Sequence, residues 1–251
     1  MDENAPYQYF EDVNWGLLRL WGGRRDLRVL DIGCGFATTS TRIQRLGNQV
    51  TGIEESAVAC EVAANRISRV VRADLQNFTS VEAQLEGETF DVLILADVLE
   101  HLAWPVGVLR RYLRLLSPGG SVLLSLPNVG LWSVRLALLA GRWEYAETGV
   151  LDRTHLRFFT RRTARWLLDE AELEPIRTTW NPGLVRPLVP LAKRFLGRSR
   201  ESDAPEDPAA LLDSSAYQIY LRTVHPVERM LTSLWPGMLA FQMVFEAKRL
   251  P

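Results

Sequence analysis

The chain is short of several things, and each absence narrows its role. Only two cysteines occur in 251 residues, Cys34 inside a glycine turn and Cys60 in a predicted helix. Neither position suggests a bridge, so a reducing, cytoplasmic setting is expected. Neither charge dominates: 29 Lys and Arg stand against 30 Asp and Glu, a net charge of −1. Nucleic-acid binders usually carry a clear basic excess, so broad nucleic-acid affinity is not expected. No stretch approaches the roughly 18 apolar residues of a membrane span, although the composition stays compatible with peripheral contact at a membrane surface. Residues Met1 to Asn4 are acidic and lead into no apolar core, so no secretory signal is expected. Histidine is scarce too, with three in the chain, which leaves few groups that titrate near neutral pH.

What is present is a chain 47% hydrophobic and 24% charged, enough for one globular domain with an elaboration or at most two small ones. It is organised around Val29-Leu-Asp-Ile-Gly-Cys-Gly-Phe-Ala37. Val29, Leu30 and Ile32 suit a strand buried on both faces of a parallel sheet. Gly33 and Gly35 then interrupt the run, and a helix-compatible segment starts at Thr38. Strand, glycine turn and helix start together make a shelf where backbone approaches a ligand closely. Two glycines alone are a weak signal; Asp31 is the informative neighbour. Beside a pyrophosphate at about 4–5 Å, with an effective dielectric near 20, its carboxylate would meet a repulsion of about 3–4 kcal/mol per charge. An anionic dinucleotide therefore fits poorly, and a cofactor carrying an ammonium or sulfonium fits well.

Asp31-Ile-Gly-Cys-Gly-Phe-Ala37 closely resembles motif I of the class I S-adenosylmethionine (SAM)-dependent methyltransferases, with Ala37 at the third small position. Further acids follow at regular intervals. Glu54 ends a second predicted strand 23 residues after Asp31, the βαβ interval for a carboxylate that accepts ribose hydroxyls. A charge at the start of the next helix is the structural alternative, which Glu55 also serves. Asp74 ends a third strand 20 residues later. The resemblance implies that Asp74 meets the adenine amino group and the backbone of Leu75 a ring nitrogen; a turn cap is the alternative. Phe90 to Leu102 supplies a fourth strand and then Asp97-Val-Leu-Glu-His-Leu102, which resembles motif IV of one methyltransferase subgroup. That likeness places the backbone near Asp97 against the methionine moiety, with Glu100 and His101 at the edge of a substrate pocket. A helix over 104–116 should stop at Ser117-Pro-Gly-Gly120, before a fifth strand over Ser121–Leu126.

The resemblance implies an α/β fold: a Rossmann-like, seven-stranded, mostly parallel sheet with helices on both faces, an antiparallel last strand and helical insertions over the active face. Residues 1–27 are expected to form an N-terminal helical lid, with Tyr7, Tyr9 and Phe10 over the cofactor; a helix packed on the sheet is the plainer reading of the 7–21 pattern. The methyltransferase domain then spans 28–251, with substrate-side insertions at about 127–160 and 181–238. The first holds an apolar piece, Leu131–Ala140, expected to be a packed helix, then Trp143 and Tyr145 as acceptor contacts. After it, Asp152, Arg153, His155 and Arg157 crowd into six residues. This Leu-Asp-Arg-Thr-His-Leu-Arg-Phe-Phe-Thr segment resembles one in bacterial methyltransferases linked with cell-surface glycan and natural-product pathways. In the second insertion, helical patterns fall at Ala209–Thr223 and Pro226–Leu234, behind a basic piece and an acidic loop.

Methyl transfer from a sulfonium is an in-line displacement, and a hydroxyl nucleophile must also lose its proton. His155 and His101 are the candidate bases; Glu100, Asp152 and Arg157 are candidate substrate contacts, with Glu100 and Asp152 also able to orient the rings. Glu100, His101, Asp152 and His155 are all suitable metal ligands, yet no H-x-x-H or D-x-D spacing joins them, so no metal is expected. The Asn/Asp-Pro-Pro-Tyr signature of nucleic-acid amino-methyltransferases is absent after the fourth strand. The expectation is O-methylation of a hydroxyl on a small molecule or glycan intermediate. N-methylation of an amino sugar or other small amine, and a non-catalytic SAM-binding protein, stay open as alternatives.

Overall fold

The structure, a computed structural model, describes residues 13–85, 87–185 and 215–250. Tyr7, Tyr9 and Phe10, and the basic piece and acidic loop, lie outside them. Helix α1 (Trp15–Trp21) is capped by Asn14, whose side chain accepts the Leu17 N–H at 3.0 Å. Its Leu17 and Trp21 are buried with Val29, Val50, Val92 and Leu123, so this part of the N-terminal region packs on the sheet.

Seven strands form one sheet: β1 (Arg28–Ile32), β2 (Gln49–Glu54), β3 (Arg69–Arg72), β4 (Phe90–Ala96), β5 (Leu116–Pro127), β6 (Leu173–Pro182) and β7 (Ala240–Arg249). Their order is β3-β2-β1-β4-β5-β7-β6, parallel except for β7, which runs antiparallel to both β5 and β6. The apolar runs are buried on both faces. Leu30, Ile32, Leu93 and Leu95 enter one layer, and Val29, Val92 and Ile94 the other. The chain leaves β1 towards β3 and returns on the other side at β4, so the crevice of the switch point opens above the carboxyl ends of β1 and β4.

Helices α2 (Thr38–Arg45), α3 (Ala57–Ala64), α4 (Phe78–Leu85), α5 (Pro105–Tyr112), α6 (Trp132–Leu139), α7 (Arg161–Glu170), α8 (Ser215–Leu234) and α9 (Pro236–Leu239) connect the strands. Four details differ from expectation. Helix α4 was not foreseen; Phe78, Val81 and Leu85 give it one buried face. The stop at Ser117–Gly120 falls inside β5, because Leu116 already pairs with Phe90 and the register then shifts to Val92–Ser121. The break is an irregularity in the pairing of a strand. Helix α8 runs unbroken through Pro226 where two pieces were expected. Helix α6 buries Val134, while Leu136, Leu138 and Leu139 are exposed, so it is packed on one side only.

Candidate active site

The glycine turn forms as its residues require. Gly33 and Gly35 take φ of +73° and +51°, and Ala37 caps α2 at +55°. The N–H groups of Gly33 and Cys34 both donate to the Ile53 carbonyl, at 2.9 and 3.0 Å. A Cβ at Gly33 would lie 2.7 Å from Val98 Cγ2 and 3.4 Å from Leu75 Cδ1. Three segments marked in the sequence, the ends of β1, β3 and β4, thus pack together so closely at Gly33 that only glycine fits.

Each acid sits at the carboxyl end of its strand, in a different state. Asp31 is buried; its Oδ2 accepts the Ser40 hydroxyl at 2.6 Å, and its Oδ1 has no hydrogen-bond partner. Burial raises its pKa to about 6, with the Ser40 hydrogen bond pulling down and the charge of Glu54 pushing up. The Glu54 carboxylate accepts the N–H of Gly35 at 3.0 Å, Glu55 at 2.9 Å and Ser56 at 2.8 Å, tying the turn to the end of β2. Asp74 accepts the Gln76 N–H at 2.8 Å and is exposed, while the Leu75 carbonyl accepts the Tyr112 hydroxyl at 3.1 Å. Asp97 sits at φ +56° and accepts from Gln242, a residue of β7. These residues fit SAM in that an unpartnered buried carboxylate oxygen suits a cation.

A second cluster lies beyond β4. The Glu100 carbonyl accepts the N–H of both Leu156 and Arg157, at 2.8 and 2.9 Å. This staples the loop after Val150 to the 3-10 turn Leu99–His101 and brings Glu100, His101, Asp152 and His155 together. Glu100 is 1% exposed and neither carboxylate oxygen has a hydrogen-bond partner. Burial first, and then the charges of Asp97 and Asp152, hold its pKa well above the usual range. The His101 and His155 rings meet edge to face at 4.8 Å, and burial lowers the pKa of both. His155 Nδ1 faces the Val150 carbonyl at 3.2 Å, and His101 Nδ1 faces Thr154 Oγ1 at 3.1 Å. Thr154 in turn donates to Asp152 Oδ1 at 2.6 Å. Arg157 stands apart: its guanidinium donates to the Ala103 carbonyl, at 2.6 Å from Nη2, and braces the loop.

Beside His155 runs a wall of rings. Phe158 lies 6.1 Å from His155 and 5.2 Å from Trp143, and Tyr145 lies 6.4 Å from Phe158. Sequence reasoning named Trp143 and Tyr145 but missed Phe158, Thr154, Ser40 and Gln242. Thr154 and Phe158 lay within a segment already singled out; Ser40 and Gln242 left no local signal.

A family described as a methyltransferase domain matches residues 1–178. The chain belongs to the methyltransferase domain family. Curated relatives include ubiquinone biosynthesis O-methyltransferases from Colwellia psychrerythraea, 34% identical over 47% of this chain and 49% of that one, and from Azorhizobium caulinodans, 34% identical over 60% and 56%. The chain thus spans about half the length of these relatives. Among solved structures, a SAM-dependent methyltransferase from Archaeoglobus fulgidus matches with a TM-score of 0.55 at 15% identity, covering 92% of this chain and 91% of that one. Magnesium protoporphyrin IX methyltransferase from Synechocystis, with S-adenosylhomocysteine (SAH) bound, matches at 0.54 and 16% identity, covering 93% and 78%. The domain has the fold of these SAM-dependent methyltransferases. Among the described residues no helix is long and apolar enough to cross a membrane.

Proposed function

We propose that the chain transfers a methyl group from SAM to a hydroxyl oxygen of a small, ring-bearing molecule of quinone type. The observation that carries this reading is the centre formed by Glu100, His101 and His155 beside an aromatic wall, next to the cofactor turn. The names of the curated relatives support oxygen as the acceptor atom. A glycan hydroxyl is the other acceptor considered; nothing beyond the likeness of the 151–160 segment supports it.

In this reading Asp31 faces the cofactor's ammonium, Glu54 its ribose, Asp74 and Leu75 its adenine, and the backbone at Asp97 its methionine. Bound SAM supplies an electrophilic methyl on sulfur. Trp143, Tyr145 and Phe158 hold the acceptor ring, so that its oxygen lies in line with that methyl. The acceptor hydroxyl would have to give up its proton on methylation, and an imidazole would take it. His155 offers Nε2, because Nδ1 is directed at the Val150 carbonyl. Burial keeps both rings neutral, which is the form that accepts a proton.

SAH release measured with phenolic, sugar and amine acceptors tests the proposal. Turnover with ortho-dihydroxyarenes is expected. Turnover with amines alone would replace the reading by N-methylation, and SAH binding without turnover on any class would leave a non-catalytic binding protein.

A further inference from the structure

We propose that Glu100, His101 and His155 bind one divalent metal ion of the zinc class. The spacing in sequence argues against this, since residue 155 is remote from the other two. The fold removes that objection: one potential ligand atom from each residue lies within 4.8 Å of the others. His155 Nε2 is 4.0 Å from Glu100 Oε1. Zinc–nitrogen and zinc–oxygen bonds are about 2.0–2.2 Å, so ligands around one ion sit roughly 3.3–3.5 Å apart, and small side-chain rotations close the set.

Glu100 is the strongest reason. Its carboxylate is 1% exposed, both oxygens lack a hydrogen-bond partner, and Asp97 and Asp152 add negative charge nearby. Burying such a group costs several kcal/mol unless a cation or donors compensate. Among the described residues the one basic side chain recorded against it is His155, 4.0 Å away, and burial disfavours that ring's charged form. The adjacent guanidinium of Arg157 is directed at the Ala103 carbonyl. A divalent ion answers both the charge and the coordination.

The histidines are held as metal ligands usually are, each ring fixed through its other nitrogen. Val150 carbonyl holds Nδ1 of His155, and Thr154, itself anchored to Asp152, holds Nδ1 of His101. Burial favours the neutral ring, the form that ligates. Two imidazoles and one carboxylate suit zinc and related first-row ions better than magnesium or calcium, which favour all-oxygen sets. Such a set leaves coordination positions for an oxygen of the acceptor. With the ion bound, His155 Nε2 is taken, and the ion would replace that ring as the means of ionising the hydroxyl, by lowering its pKa so that the proton leaves to water. That role rests on the proposed O-methyl transfer; the binding of the ion does not.

The test uses the tag-free full chain, stripped with chelator, and titrated with Zn²⁺ against a chromophoric chelator and with Co²⁺ by visible absorption. One ion per chain is expected. Glu100→Gln and His155→Ala should each weaken uptake at least 100-fold while SAH affinity, measured by calorimetry, changes less than about three-fold. If a variant fails to fold, the wild-type protein still reports: Co²⁺ should shift two exchangeable imidazole N–H proton resonances, one from each histidine. The proposal is overturned if stripped protein that binds SAH takes up neither ion, or if both variants bind as wild type. Turnover by the stripped protein would remove the ion's role in the reaction and leave the O-methyl reading standing; uptake without turnover would keep the ion and remove that reading.

Discussion

The Ser40 hydroxyl donates to Asp31 Oδ2 at 2.6 Å, while Asp31 Oδ1 is buried without a partner. One oxygen is spoken for by the fold and the other is left for a ligand. Burial sets the carboxyl pKa at about 6, against 3.8 in an unperturbed aspartate. An ammonium binds the ionised form, so SAH affinity should rise from pH 5 to 7 and level off above. Asp31→Asn should weaken binding and remove that dependence, which calorimetry across pH would measure. The sign for stability is opposite. The native carboxyl holds its proton more tightly than the unfolded one, so its contribution is full below about pH 4 and is lost as pH rises through 6. Thermal melts of the ligand-free protein should show this loss, and SAH should offset it.

Gly33→Ala should fail twice. The residue sits at φ +73°, and a new methyl would lie 2.7 Å from Val98 Cγ2. Strain at such a position is worth about 1–3 kcal/mol. SAH affinity should fall at least ten-fold with a lower melting temperature. Val98→Ala should relieve the contact and not the strain, so the double variant should recover only part of both.

These sites differ in how far sequence alone reveals them. The shelf is a local device: Asp31, Gly33 and Gly35 fall within five residues, and Glu54 and Asp74 repeat at one βα unit each, so strand pattern and spacing suffice. The buried runs Val29–Ile32 and Val92–Ala96 mark the central strands for the same reason. The Glu100–His155 contact is set by two backbone hydrogen bonds across some fifty residues, and no local pattern records it. Gln242 reaches Asp97 from the antiparallel β7, which depends on strand order. Pro226 misled because a break was expected there, yet α8 continues through it.

Thr154 is a positioning residue for His101. Its hydroxyl donates to Asp152 at 2.6 Å, so its oxygen accepts from His101 Nδ1 and fixes the ring. Thr154→Val should lower kcat about ten-fold with little change in the KM of the acceptor, and Thr154→Ser should restore most of the rate. Steady-state kinetics of the three proteins decides this; a KM effect alone would assign Thr154 to binding.

Trp143 and Phe158 meet at 5.2 Å and lead towards His155. If they hold an aromatic acceptor, Trp143→Ala should raise its KM at least ten-fold and leave SAH affinity unchanged. A comparable loss with non-aromatic acceptors would point to loop support instead.

A crystal structure with SAH and a phenolic acceptor tests the account most directly. The acceptor oxygen should lie about 3 Å from an imidazole nitrogen of His155 or His101, or from an ion held by them, and in line with the sulfur of SAH. An acceptor seated away from Glu100, His101 and His155, with its oxygen out of reach of all three, would contradict it.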